Sequence, residues 1–138
     1  MNKEQNMKKI TWKDDFKVNV KQIDDQHHCF VSMINLIIEN IDTEQVLLEG
    51  LCEELIAFAR FHFLSEQNLM LRNNYPNYDG HKKEHNLLLR RLNENIVGVH
   101  FDKKNVSELL EFLFEWFANH SNNEDKTLGK YLNSKKKD

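Results

Sequence analysis

The segment LEGLCEELIAFARFHFLSE, residues 48–66, sets Leu48, Leu51, Leu55 and Phe58 at steps of three and four. That spacing lines side chains along one face of an α-helix. The next step of four reaches His62, the one after it Glu66, and the apolar seam resumes at Leu69. One helix therefore offers a core an apolar stripe that an imidazole and a carboxylate interrupt. This pairing of core position with polar chemistry recurs along the chain.

Working outward, a first helix is predicted from about Asp24 to Ile41, with the seam Ile23, Phe30, Ile34, Ile37 and Ile41. Asp42 and Gln45 have the spacing of a capping box that opens the second helix, which runs to Tyr75-Pro76. A third is predicted from Asn77 or Asp79 to Gly98, with Leu88, Leu92 and Ile96 inward. Asn105 and Glu108 suggest another capping box, opening a fourth helix with Val106, Leu109, Leu113 and Trp116. Residues 1–22 read as an extended arm, in which Ile10, Trp12, Phe16, Val18 and Val20 can pack across the bundle. The bundle covers about 23–125, and a short frayed or helical tail follows. Short connections make successive helices antiparallel neighbours, so the expected fold is an all-α, up-down-up-down four-helix bundle forming a single domain over 1–138.

Composition agrees. Among 138 residues, 40% are apolar and 30% charged, with one Pro and four Gly, too few turn residues for an all-β domain. A net charge of −3 leaves no basic footprint for nucleic acid. The Lys135-Lys136-Lys137 run reads as a solvated tail. The longest apolar run, Phe30 to Ile38, is interrupted by Ser32 and Asn35, so no membrane span is expected. The polar start, Met1 to Lys9, does not read as a signal peptide, and Cys29 and Cys52 form no CxxC pair. The expectation is a cytoplasmic protein with reduced thiols.

Seven histidines remain to be explained. Extending the seams reaches His27, His62, His81, His85 and His120, five positions where a bundle ordinarily holds Leu or Ile. Burying one imidazole without a partner costs about 1–3 kcal/mol, so five of them call for something that binds them. In an up-down bundle the starts of helices one and three share an end with the finishes of two and four, so all five converge. His28 falls one residue off its seam, and His100 is expected in the loop after Gly98. Carboxylates accompany the five: Glu66 follows His62 by four residues, while Glu124 and Asp125 follow His120 by four and five. Five imidazoles and two carboxylates exceed one tetrahedral zinc site and suit two octahedral iron or manganese ions sharing carboxylates. No Glu-x-x-His motif joins this histidine set, unlike the ferritin-like di-iron oxidases. Imidazoles leave iron less electron-rich than carboxylates do, which favours holding dioxygen over cleaving it. Phe63, Trp116 and Phe117 are positioned to line an apolar pocket.

The stretches Ile23-Asp24-Asp25-Gln26-His27, His62-Phe63-Leu64-Ser65-Glu66, Tyr75-Pro76, His81-Lys82-Lys83-Glu84-His85 and Trp116-Phe117-Ala118-Asn119-His120 with Asp125 resemble the hemerythrin family, in its single-domain bacterial form. The resemblance implies a non-haem di-iron centre, with a bridging oxo or hydroxo group, that binds dioxygen reversibly. His81, His85 and His120 would saturate one iron; His27 and His62 would hold the other, leaving a position open. Glu66 and Asp125 would bridge them, so the family pattern selects Asp125 where regular helical spacing favours Glu124. Two departures stand out: Asn19 where the family usually has Gly, and Phe117 and Ser121 where it commonly has Leu and Ile. The Ser121 hydroxyl is expected near the dioxygen pocket. The implied role is oxygen storage, delivery or scavenging, with dioxygen as the partner and no enzymatic activity. An oxygen or redox sensor, or a centre reacting with peroxide or nitric oxide, is the alternative.

Overall fold

The computed structural model describes residues 8–135, all of it helical or irregular, without a strand among the described residues. Residues 1–7 of the arm and Lys136 and Lys137 of the tail lie outside that range. Four long rods form the bundle: α1 (Lys21–Glu39), α2 (Gln45–Arg72), α3 (Tyr78–Phe101), and a fourth made of α4 (Val106–Trp116), a π-helical segment (Phe117–Asp125) and α5 (Lys126–Lys135). Consecutive helices pack side by side, and Phe30 of α1 against Trp116 of α4, with ring centroids 4.6 Å apart, closes the ring.

The predicted seams are observed on α1, α3 and α4, while on α2 Leu51, Phe58 and Leu69 are only half-buried and the core face is completed by Cys52, Ile56, Ala59, Phe63 and Met70. Ile23, Phe30, Ile34, Ile37, Leu48, Leu55, Leu92, Ile96, Leu109 and Leu113 are buried. Each such side chain contributes about 1.5–3 kcal/mol by leaving water. Cys52 is buried among them, and that burial pushes its thiol up to about 12, so it packs as a small neutral side chain, whereas Cys29 is exposed.

The helix ends differ from expectation, each for a local reason. The first helix starts at Lys21 rather than Asp24, because the Asp24 carboxylate accepts from the Val18 and Asn19 amides (2.8 and 3.1 Å) and so ties the incoming arm to the first turn. Asn19 bends the arm there with a left-handed φ of 64°, a conformation open to Gly and Asn but costly for most residues. Neither capping box forms. The Gln45 amide instead donates to the Val99 carbonyl (2.7 Å) and the Asn105 amide to the Gly98 carbonyl (2.7 Å), so both residues tie the turn between α3 and α4 to neighbouring backbone. α3 runs on to Phe101, which places His100 in its last turn, where it pairs with Glu49 and Glu53 of α2 (2.5 and 3.0 Å).

The tail is a packed helix. Leu128 and Leu132 join Val18, Val20, Ile23, Met70 and Tyr75 in a second apolar cluster, separate from the main core. At their junction Gly129 lies against the Val18 carbonyl, closer than any Cβ could approach. Gly129→Ala gains up to about 1 kcal/mol of helix propensity but forces α5 off a backbone atom that cannot rotate away. A net loss of about 1–2 kcal/mol is expected, read as a lower urea midpoint at unchanged slope.

Candidate metal centre

Between the two apolar clusters lies one polar layer. His27, His62, Glu66, His81, His85 and Asp125 are buried to 1% exposure or less, and His120 to 4%. All seven residues read from the sequence meet there. Their atoms fall into two groups, each with ligand atoms within 4.8 Å of one another: Glu66, His81, His85, His120 and Asp125 in one, His27, His62, Glu66 and Asp125 in the other. Glu66 and Asp125 belong to both.

The two carboxylates come from helices on opposite sides of the layer. α2 delivers Glu66 one turn after His62, and α3 delivers His81 and His85 one turn apart. The fourth rod must point residues 120 and 125 the same way, which a regular α-helix sets roughly 140° apart. It does so by widening into the π-helical segment Phe117–Asp125. Within it His120, Ser121 and Asp125 face inward and Glu124 is only half-buried, so Asp125 rather than Glu124 sits in the cluster. Such segments recur at functional sites.

The layer is electrostatically tense. Burial and the neighbouring Asp125 charge both act to raise the Glu66 carboxyl, yet contacts to His62, His81 and His85 hold it below its ordinary range. Asp125 is likewise held well below the usual carboxylate range: burial opposes this, and His120, His27 and His81 outweigh it. Burial lowers His81, but Asp125 and Glu66 overcome that and raise it to about 10. Burial wins at His85, which is lowered.

Protons satisfy only part of the layer. His81 Nε2 donates to Glu66 Oε1 at 2.6 Å, and His85 Nε2 stands 3.0 Å from the same oxygen. His27 Nε2 lies 3.1 Å from Asp125 Oδ2, His62 Nε2 3.3 Å from Glu66 Oε2, and His120 Nε2 3.4 Å from Asp125 Oδ1. None of these makes a hydrogen bond, and His27 Nε2, His62 Nε2, His120 Nε2, Glu66 Oε2 and both Asp125 oxygens are buried without a partner. Orphaned nitrogens and oxygens converging in mixed N/O sets are the donor chemistry that cations satisfy, so the residues fit a metal centre.

Behind the ligating edges stand residues that the sequence reading passed over. His62 Nδ1 donates to Gln26 Oε1 (2.7 Å), whose amide in turn donates to Ser65 Oγ (3.0 Å). His85 Nδ1 donates to Gln67 Oε1 (3.1 Å). Gln67 was detectable in principle, since Phe63, Gln67 and Met70 share the seam spacing and all three are buried. The Ser121 hydroxyl has His27 Nδ1 as its partner (3.3 Å), so it acts on the back of that ring. Phe63 stacks on His85 at 4.0 Å, Trp116 lies parallel to His120 at 6.2 Å, and Phe117 meets His27 edge-on at 5.6 Å, giving the apolar walls expected of them. His28 stands apart, stacked on Trp12 at 3.6 Å, where it anchors the arm. No helix of the described residues is long and apolar enough to cross a membrane.

Known proteins give the same picture. The family model for the hemerythrin HHE cation binding domain matches residues 18–132. A bacteriohemerythrin of Pseudomonas paraeruginosa is 33% identical over 120 residues, covering 86% of this chain and 78% of that protein. One of Methylococcus capsulatus is 28% identical over 128 residues, covering 91% and 98%. Crystal structures of a hemerythrin superpose with a TM-score of 0.82 for a leucine-to-alanine variant and 0.81 for the wild type, each 28% identical, covering 91% and 89% of this chain and 98% and 97% of theirs. By its sequence match and its fold, the chain belongs to the hemerythrin family, whose domains bind oxygen at a di-iron centre.

Proposed function

We infer that this chain holds two iron ions, one through His81, His85 and His120 and the other through His27 and His62, with Glu66 and Asp125 shared between them. It serves as a reversible dioxygen binder for storage, delivery or scavenging. The observation that carries this reading is the pair of ligand groups with Glu66 and Asp125 in common. By count of ring donors, the group with two imidazoles would leave a coordination position for an outside ligand, and the group with three would not. Iron at such a site supplies the electrons that dioxygen takes up on binding and returns on release.

The chain's own residues favour reversibility. Gln26, Gln67 and Ser121 accept the Nδ1 protons of His62, His85 and His27, which aims each Nε2 lone pair at the layer. Phe63, Trp116 and Phe117 keep bulk water, and with it stray protons, away from the ligating edges. Near-complete burial of all seven ligating residues supports binding of a small molecule over chemistry on larger substrates.

Purified protein is expected to carry two irons per chain and an optical band that appears with dioxygen and disappears when the gas is removed. His62→Ala and His85→Ala should each lower the iron count. A fully loaded protein with one iron per chain refutes the two-metal reading, and irreversible oxidation on first exposure refutes the carrier role. Asp125→Ala should lose iron where Glu124→Ala keeps it; the reverse result assigns the bridge to Glu124.

Removing a hydrogen-bond partner behind a ligating histidine costs about 10–100-fold in metal affinity. Gln67→Ala is expected to fall in that range. Ser121→Ala, with the longer contact, should lose about tenfold, measured by iron competition with a chelator, while the folded fraction by circular dichroism is unchanged. Equal affinity in Ser121→Ala would remove the hydroxyl from the support of His27.

A further inference from the structure

The outward side of α2 carries a second apolar stripe that the bundle does not use. Leu47, Ala57, Phe61, Leu64 and Leu71 are all exposed, Phe61 to 56% and Leu64 to 59%. Gly50, Glu54 and Asn68, also exposed, fill the remaining places, so the stripe repeats in strict alternating steps of three and four from 47 to 71. Steps averaging 3.5 residues are the repeat of helices that pair in a coiled-coil seam, and a helix facing only water has no use for them. α2 thus has two apolar faces: one holds His62 and Glu66 in the core, and the other is open.

We propose that this face is where two copies of the chain associate, with the two α2 helices antiparallel about a two-fold axis near residue 59. Antiparallel pairing is self-complementary in shape. Phe61 of each copy lies over the small Ala57 of the other, Leu71 reaches Leu47, and Asn68 lies over Gly50, beside which nothing stands within 4 Å of a would-be Cβ. It is also complementary in charge. The first half of the exposed face carries Glu53 and Glu54, and the second half carries Arg60 and Arg72. Antiparallel copies set acid against base at both ends, whereas parallel copies set like against like. α2 spans 28 residues, about 42 Å, long enough for a continuous seam.

The measurement is sedimentation equilibrium of the iron-loaded full chain across a concentration series. A monomer–dimer equilibrium is expected. Phe61→Glu should leave only monomer, and Gly50→Gln, which has free space in the monomer, should weaken the dimer by filling the groove. Arg60→Glu should raise the dimer dissociation constant about tenfold, since symmetry repeats the lost pair, and Glu54→Arg combined with it should restore the parent value. Iron content and helicity serve as fold controls, because none of these positions contacts the polar layer. A parent chain that stays monomeric, whatever else binds the stripe, overturns the proposal. A dimer that survives Phe61→Glu, or a double charge reversal that fails to recover it, does the same.

Discussion

Two carboxylates, Glu66 and Asp125, lie fully buried beside one another, and the rest of the structure answers that fact. Taking a carboxylate out of water costs several kcal/mol even after relaxation, and a second negative charge nearby adds to it. Imidazolium protons offset part of this, which is why His81 is raised to about 10. They cannot offset all of it, because five imidazoles crowded into one layer repel one another once several are charged, and burial pulls His85 the other way. A layer that is negative at its centre and ringed by nitrogen lone pairs is stable in proportion to the positive charge it encloses. Iron supplies that charge without needing a proton on every ring.

Placing the layer constrains all four rods at once. It lies between two apolar clusters, so each helix passes from hydrophobic packing to ligating residues and back, as with Ile23, His27 and Phe30 on α1. Helices α2 and α3 do this without distortion, because positions four apart already share a face. The fourth rod cannot, since 120 and 125 are five apart. It gives up regular hydrogen bonding over Phe117–Asp125, a geometry poorer than the α-helix. Packing at its ends offsets the loss: Trp116 is buried before it, Phe117 at its start and Leu128 after it. The continuation into α5, clasped by Val18 and Gly129, holds the widened segment from both ends.

The bundle, the five histidines and Glu66 were legible in the sequence as periodicity: apolar seams at steps of three and four, and polar residues standing where Leu or Ile belongs. Asp125 came from the family resemblance, since regular spacing pointed to Glu124. Features that depend on a competition between partners were not. Asp42 with Gln45 and Asn105 with Glu108 have capping-box spacing, but Gln45 and Asn105 found carbonyls across the turn that suited them better. Nothing in residues 117–125 announces a π-helical segment except the misfit between Glu124 at four and Asp125 at five, a conflict visible in sequence and resolved only in three dimensions. α5 was obscured because its partners, Val18 and Met70, are distant in the chain. Gln67 betrays its burial by seam spacing, but the role of Gln26 and Gln67 exists only relative to a ring on another helix.

The supports behind the rings are unevenly shared, and the unevenness follows from the number of imidazoles on each side. In the group with two histidines, both rings have a hydrogen-bond partner at Nδ1: Gln26 for His62 and Ser121 for His27. In the group with three, only His85 has one, while Nδ1 of His81 and of His120 is buried without any. Those two rings are held by packing instead, His81 by the edge of Tyr75 at 6.2 Å and His120 by Trp116. A cation gripped by three rings and two carboxylates is itself enough to orient them. A cation gripped by two rings, with a position to spare, is not, and each of those rings needs its direction fixed from behind. The more complete hydrogen bonding therefore falls on the side of the layer with fewer imidazoles.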